Sequence, residues 1–242
     1  MRKSNLSLNY NEFYNKDLEQ NLELVKNDTI IQNNLNVAPN TSFLYIFFKR
    51  TFDLVASFIA ILVLIVPSLI LSLFIVLEGK GSPIFVHERI GKNGKPFKMY
   101  KFRSMYKDAD NDKYTVIHLS DPNSPAFKLK EDPRITKIGK FIRKYSIDEL
   151  PQLLNVFLGT MTFVGPRPPI TEEVIHYSDF YRQRLLVKQG LTCYWQISGR
   201  STMDFDTRMT LDVKYVSEQN LWVDFKILLK TLPAVLKGEG AW

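Results

Sequence analysis

Two adjacent carboxylates flanked by cations are the feature of this sequence best suited to chemistry: Arg143-Lys144-Tyr145-Ser146-Ile147-Asp148-Glu149-Leu150-Pro151-Gln152. An ionised aspartate is a competent nucleophile towards phosphorus, and a neighbouring carboxylate can hold Mg²⁺. The same run also has a purely structural reading. Ser146-x-x-Glu149 matches a capping box, and acidic residues favour a helix N-terminus. Pro151 fits better with Asp148 as the N-cap, because it then falls among the free N–H positions. In either register the pair sits at a positive dipole end beside Arg143, where carboxylates stay ionised. Taken alone, the stretch reads as capping.

Three further clusters present cations. Val164-Gly165-Pro166-Arg167-Pro168-Pro169 holds one guanidinium on a loop stiffened by three prolines, a form suited to bidentate phosphate binding. Tyr100-Lys101-Phe102-Arg103-Ser104-Met105 alternates cations with aromatics, and Ile197-Ser198-Gly199-Arg200 places a cation after a flexible residue. Each is weak singly, and each has a bland counterpart in a solvated side chain. Asp108-x-Asp110, Asp110-x-Asp112 and Asp204-x-Asp206 resemble the metal-binding pairs of ordinary glycosyltransferases. They arise often by chance and are expected to be solvated loops.

Composition narrows the classes. The 242 residues suit one compact domain with appendages, and 32 Lys+Arg against 25 Asp+Glu give a net charge of +7. That balance favours phosphates, nucleic acid or an acidic membrane surface. The single cysteine, Cys193, excludes an internal disulfide, and three scattered histidines offer no metal cluster.

The elements that must position these groups begin with a membrane segment. Leu54 to Leu77 runs about 24 residues without a charge, where ~20 suffice to cross a bilayer. Pro67 near its middle costs a helix interior ~3 kcal/mol and leaves halves of roughly 18 Å, short of a ~30 Å hydrocarbon core. Lys49 and Arg50 precede the run, and Lys80, Arg89, Lys92, Lys95 and Lys98 follow it. Cations on both sides would keep both ends cytoplasmic, so the pattern predicts a re-entrant helix–break–helix hairpin, with a kinked spanning helix as the alternative. Phe43 to Phe52 reads as an interfacial aromatic stretch, and residues 1–42 as a poorly ordered extension.

Beyond the membrane segment, Ser82 to Val86 and Phe97 to Phe102 read as extended pieces about an Asn93-Gly94 turn, and Asp108 to Pro133 as loop. Leu150–Phe157, Phe180–Val187, Met209–Tyr215 and Val223–Leu236 read as helices. The fold class is therefore α+β, mostly helical: a membrane-associated segment over 43–80 followed by a catalytic domain over 81–242.

Taken in order, the pieces resemble the bacterial sugar transferase family, the monotopic phosphoglycosyl transferases. The matching residues are Lys49-Arg50-x-Phe52-Asp53, the Pro67-broken segment, Arg89-Ile90-Gly91-x-x-Gly94-Lys95-Pro96-Phe97, and Tyr100 to Met105. They continue through Asp132-Pro133-Arg134-Ile135-Thr136, Ser146-x-Asp148-Glu149-Leu150-Pro151-Gln152, Asn155-Val156 and Val164-Gly165-Pro166-Arg167-Pro168. Gly199-Arg200, Leu211-Asp212-x-x-Tyr215 and the ending Gly240-Ala241-Trp242 complete the set.

The resemblance reverses the capping reading. It implies that Asp148 attacks the β-phosphorus of a UDP-sugar, that UMP leaves, and that polyprenyl (undecaprenyl) phosphate then takes the phosphosugar from the aspartate. Glu149 would ligate Mg²⁺, with Lys101, Arg103, Arg143, Arg167 and Arg200 as substrate-binding cations. It further implies an enzyme of exopolysaccharide, O-antigen or glycoprotein glycan assembly on the cytoplasmic face of the inner membrane. Its partners would be the lipid bilayer and phosphorylated substrates rather than nucleic acid, and a homodimer is one open assembly. Three stretches depart from the family pattern: Gly159-Thr160-Met161-Thr162, Gln189-Gly190-Leu191-Thr192-Cys193, and His87 where a Gln is common. They put sugar recognition and loop shape in question and leave the dyad intact. The competing expectations are a metal-dependent glycosyltransferase that releases UDP and a non-catalytic basic membrane scaffold.

Overall fold

The computed structural model describes residues 37–107, 109, 132–199 and 203–237. The extension before residue 37, nearly all of the loop expected from Asp108 to Pro133, and Arg200 lie outside the described residues. Helix α1 is Phe43–Gly79, 37 residues long, closed by Lys80 in a left-handed conformation whose N–H donates to the Val76 carbonyl. Pro67 sits inside it without interrupting it, so the expected break into two helices is corrected to one continuous helix. Proline removes a single donor, and the remaining i→i−4 bonds of so apolar a run can carry the helix past it.

Protein contacts of α1 gather towards its two ends. Asp53, Ser57, Ile75 and Gly79 are buried. Leu64, Ser68 and Leu71 between them are half-buried and continue the stripe at helical spacing on both sides of Pro67. The opposite side is apolar and bare, with Leu62, Val63, Val66, Leu69 and Leu77 all exposed.

Strands β1 (Ile84–Ile90) and β2 (Pro96–Phe102) form an antiparallel hairpin. It runs in register from Ile84 opposite Phe102 to Ile90 opposite Pro96. The turn holds Asn93 at φ 56°, which asparagine tolerates better than most residues. Helix α2 (Lys137–Lys144) starts at Thr136, whose side chain accepts from the Gly139 N–H. After a 3₁₀ turn, α3 (Gln152–Leu158) ends at Gly159 with φ 81°. Strand β3 (Thr162–Val164) pairs in parallel with β4 (Gly190–Thr192). Between them lie α4 (Thr171–Val174) and α5 (Asp179–Arg182), the latter running into a 3₁₀ turn over Gln183–Leu186. The helix expected over Phe180–Val187 is thus a short α-helix that continues as a 3₁₀ turn. Helices α6 (Phe205–Glu218) and α7 (Leu221–Lys237) close the described chain. The described residues are mostly helical with two small sheets, in accord with the α+β expectation.

Polar bonds tie both ends of α1 to the rest. Arg50 donates to the Val156 and Phe157 carbonyls at 2.7 Å each, satisfying orphan groups at the end of α3. Lys49 Nζ reaches Asp224 of α7 at 2.6 Å and the Val164 carbonyl at 2.9 Å. Asp53 accepts from the Phe163 N–H at 3.0 Å. At the other end, Glu78 accepts from the Lys137 and Ile138 N–H groups that open α2. Ile75, Phe102 and Ile142 form a core cluster with Ile147 and Leu150 packed against it. Val164, Val187, Tyr215, Val216 and Ile227 form another beneath β3.

Candidate active site

The dyad owes its place to a reversal of the chain. Ser146 adopts φ 55° after α2 and turns the backbone into the 3₁₀ turn Ile147–Glu149. Ile147 and Leu150 anchor that turn in the Ile75–Phe102–Ile142 cluster. Ser146 makes no side-chain cap, and α3 begins after Pro151 with no side-chain cap of its own. The capping reading therefore fails, and both carboxylates are left to meet cations.

Lys101, on β2, lies between them: its Nζ is 2.8 Å from Glu149 Oε1 and 3.7 Å from Asp148 Oδ2. Arg167, on the loop after β3, reaches the same Glu149 oxygen at 3.3 Å. Burial raises the Glu149 pKa, but the charges and hydrogen bonds of Lys101 and Arg167 outweigh it and hold the carboxyl at about 2. Asp148 differs. Burial raises its pKa above the usual aspartate range, Lys101 and Arg143 oppose that, and the charge of Glu149 adds to it. The expectation that both carboxylates stay ionised thus holds for Glu149, whereas burial works against the charged form of Asp148. The two environments push the pKa values apart, which is how neighbouring carboxylates come to serve different roles.

Arg143 completes the enclosure. Its Nε donates to Ser104 Oγ at 2.8 Å; burial lowers its pKa and Asp148 opposes that. The Arg167 loop is itself held from behind: Arg184 Nη2 donates to the Arg167 carbonyl at 2.7 Å. Arg184 also pairs with Asp212 and donates to the Tyr177 hydroxyl. The Arg167 guanidinium lies 5.9 Å from the Trp195 ring, and Arg208 lies 5.5 Å from the same ring.

Lys101, Arg143, Arg167, Asp148 and Glu149 are therefore brought together as expected, and Arg103 is not. Its Nε donates to the Ser82 carbonyl at 2.7 Å and its guanidinium lies over the Phe85 ring. Alternation along β2 gives Arg103 the same side as Lys101, but its longer side chain turns back to the start of the hairpin. Arg200 falls outside the described residues, as do Asp108, Asp110 and Asp112. Asp204 and Asp206 are exposed, though not in a loop: Asp204 caps α6 by accepting from the Thr207 N–H at 2.8 Å.

Sequence reasoning missed two cations. Arg89 donates to the Pro168 carbonyl at 3.3 Å, and burial together with the neighbouring Arg167 lowers its pKa to about 10. Its place in the Arg-Ile-Gly motif was the available signal. Arg208 packs against Trp195 and Phe205 with no motif to announce it.

Among the described residues no three His, Cys, Asp or Glu side chains gather into a metal-binding group. The donor set still fits Mg²⁺, which is commonly held by one or two carboxylates together with substrate phosphates and water. Glu149 is ionised, and the lysine and arginine contacts fall on one of its oxygens, Oε1.

Comparison with known proteins extends this geometry. Residues 44–238 match the family described as bacterial sugar transferase. The chain belongs to that family. It is 45% identical over 217 residues to the "undecaprenyl-phosphate galactose phosphotransferase" of Salmonella typhimurium, covering 88% of this chain and 44% of that protein. The "UDP-galactose-lipid carrier transferase" of Erwinia amylovora is 46% identical over 201 residues, 81% of this chain and 42% of that one. The chain thus spans less than half the length of these two relatives. The "exopolysaccharide production protein ExoY" of Rhizobium meliloti is nearer in size: 37% identity over 198 residues covers 80% of this chain and 88% of that one.

Proposed function

We propose that the chain transfers a hexose phosphate from a UDP-sugar to undecaprenyl phosphate, as an early membrane step of exopolysaccharide or related glycan assembly. The observation that carries the reading is the pair of unlike carboxylates, Asp148 and Glu149, enclosed by Lys101, Arg143 and Arg167. A diphosphate entering this cluster meets three cations, which stabilise the charge spread over the transferring phosphoryl group.

Asp148 is the nucleophile. Its carboxylate oxygen bonds to the β-phosphorus as the bond from that phosphorus to the bridging oxygen breaks, and UMP departs with the electron pair. An oxygen of undecaprenyl phosphate then attacks the same phosphorus. The bond to Asp148 breaks, and the carboxylate is restored as the lipid diphosphosugar leaves. Lys101, nearest to both carboxylates, holds the charge balance as Asp148 loses and regains its negative charge. Arg143 favours the ionised form, and Arg167 fixes Glu149 and meets the incoming phosphates. Glu149 would hold Mg²⁺, which when bound neutralises diphosphate charge.

The reading extends to the membrane. Helix α1 bends at Pro67 without losing its helical continuity and so enters and leaves one leaflet, both its ends staying with the catalytic domain on the cytoplasmic face of the inner membrane. In support, Lys49, Arg50 and Asp53 near one end and Glu78 at the other all bind that same domain. A spanning helix would carry one of those ends across the bilayer.

The test is nucleotide release from a panel of UDP-sugars by protein in detergent with Mg²⁺ and undecaprenyl phosphate. Wild type should release UMP and Asp148→Asn none. Release of UDP would replace the proposal with ordinary glycosyl transfer. Thiol labelling of cysteines placed at Ser42 and Ser82 checks the topology, and periplasmic reactivity at either would overturn the re-entrant reading alone.

A further inference from the structure

Two guanidiniums lie beyond Arg167, outside the cluster that encloses the dyad. Arg208, on α6, is brought to Arg167 by Trp195. That ring, buried in the 3₁₀ turn Trp195–Ile197, has the Arg208 guanidinium 5.5 Å from its centre and the Arg167 guanidinium 5.9 Å from it. Arg208 Nε donates to the Asp204 carbonyl at 3.2 Å, and among the described residues no acceptor takes its Nη groups. Arg89, on β1, donates Nη1 to the Pro168 carbonyl at 3.3 Å, while its buried Nε has no partner among the described residues. The hairpin register puts Phe85 opposite Lys101, so Arg89, four residues on, shares the sheet face of the catalytic lysine.

Holding three guanidiniums together costs free energy through their mutual repulsion. Burial lowers the pKa of Arg89 and of Arg208, and the charge of Arg167 lowers each further. Glu173 opposes this at all three arginines, and Glu149 does so at Arg89 and Arg167. Two carboxylates against three guanidiniums leave surplus positive charge together with uncommitted N–H donors. A structural ion-pair network closes its charges; a surplus of this kind suits a phosphate, which takes several charge-assisted bonds at once.

The order of charges around Asp148 distinguishes the two phosphates of a diphosphate. Lys101, Arg143 and Arg167 are the cations that act most on Asp148, and neither Arg89 nor Arg208 is among them. The phosphorus attacked by Asp148 therefore lies among the first three cations. Arg89 and Arg208 lie past Arg167. In an in-line displacement the leaving oxygen departs on the side away from the nucleophile.

We propose that Arg89 and Arg208 form the subsite of the leaving phosphate, the α-phosphate of the UDP-sugar. The proposal rests on the phosphosugar-transfer reading given above and adds two residues to it. When the bond from the β-phosphorus to the bridging oxygen breaks, its electron pair stays on that oxygen. The α-phosphate thereby gains one negative charge, which Arg208 and Arg89 meet by donating to its oxygens. UMP can then leave without taking up a proton. Trp195, uncharged, sets the spacing of Arg208 from Arg167. Helix α6 serves the loop twice on one face: Arg208 stands beside Arg167, and Asp212, one turn on, holds the Arg184 that binds the Arg167 carbonyl.

The experiment measures UMP binding to the full chain by calorimetry in detergent with Mg²⁺, with uridine as competitor. The preference for UMP over uridine isolates the contribution of the α-phosphate. Arg208→Gln and Arg89→Gln should each cut that preference by about tenfold, the worth of one charged hydrogen bond, and leave uridine affinity unchanged. Arg208→Lys should recover part of the loss. Lys98→Gln, which removes an exposed cation of β2, should keep the full preference and so exclude a general charge effect. An undiminished preference in both glutamine variants would overturn this inference and leave the transfer reading standing. Equal loss of UMP and uridine affinity, with a lowered melting temperature, would make the arginines structural and overturn it too. Wild type that binds neither nucleotide would overturn the transfer reading along with the inference.

Discussion

Replacing Asp212 by asparagine is the sharpest perturbation of the site that does not touch its reacting groups. Asp212 and Arg184 pair with side chains 0% and 2% exposed. Burial raises the Asp212 pKa, and Arg184, the nearest opposing charge, works against that. Removing the carboxylate strands a guanidinium in a dry interior, at a cost of about 3–5 kcal/mol. For a domain of this size each kcal/mol lowers the melting temperature by about 2–4 °C, so the loss should be about 6–20 °C. Differential scanning fluorimetry in detergent reads it. The pair need not be better than apolar packing, so Arg184→Met with Asp212→Leu should recover much of the stability. That double variant should nevertheless release UMP poorly, because the Arg167 carbonyl has lost the donor 2.7 Å away. Melting of Asp212→Asn within about 2 °C of wild type, the range of ordinary surface changes, would refute the reasoning. So would full activity in the stable double variant.

Further outcomes follow from the same geometry. With Asp148 in its proposed role, its raised pKa means that the attacking carboxylate forms as pH rises, so the acid limb of the kcat/KM profile should lie above the ordinary aspartate value. Lys101→Met removes a cation that favours the carboxylate and should move that limb to higher pH; movement to lower pH would contradict the assignment. Arg50→Met should lower stability by about 1–3 kcal/mol in chemical denaturation, since it strands the Phe157 carbonyl and leaves the Val156 carbonyl with the Gly159 N–H alone. Gly139→Ala should unfold α2 from its neighbour, because a β-carbon there would collide with the Ser104 carbonyl. Loss of the Arg143–Ser104 bond and of UMP release should accompany it.

Much of the site was legible in the sequence because its residues lie in short motifs whose order survives folding. Asp148, Glu149, Lys101, Arg143 and Arg167 meet, although β2, the dyad turn and the Arg167 loop are separated by tens of residues. What local pattern could not convey was backbone detail. Ser146 in a left-handed conformation turns an apparent capping box into a free dyad. The parallel pair β3 and β4 is three residues a strand and too short for alternation to register. Arg103 shares the strand side of Lys101 but follows its own side-chain bonds. Arg208 joins the Trp195 neighbourhood through tertiary packing alone. Pro67 argued for a break on the strength of one lost donor, and an otherwise intact helix absorbs that loss.

The bonds made by α1 carry a consequence for how the protein comes into being. During synthesis α1 emerges before its partners Val156, Phe163, Val164 and Asp224, which follow about a hundred residues or more behind it. The helix reaches the bilayer before anything exists for Lys49, Arg50 or Asp53 to bind, and the remaining chain then condenses upon it. Cutting the first eighty residues away would therefore liberate no soluble enzyme. It would leave Val156, Phe157, Phe163, Lys137 and Ile138 with backbone groups that α1 had satisfied. On the membrane reading proposed above, the bilayer is in this sense the surface on which the domain is assembled.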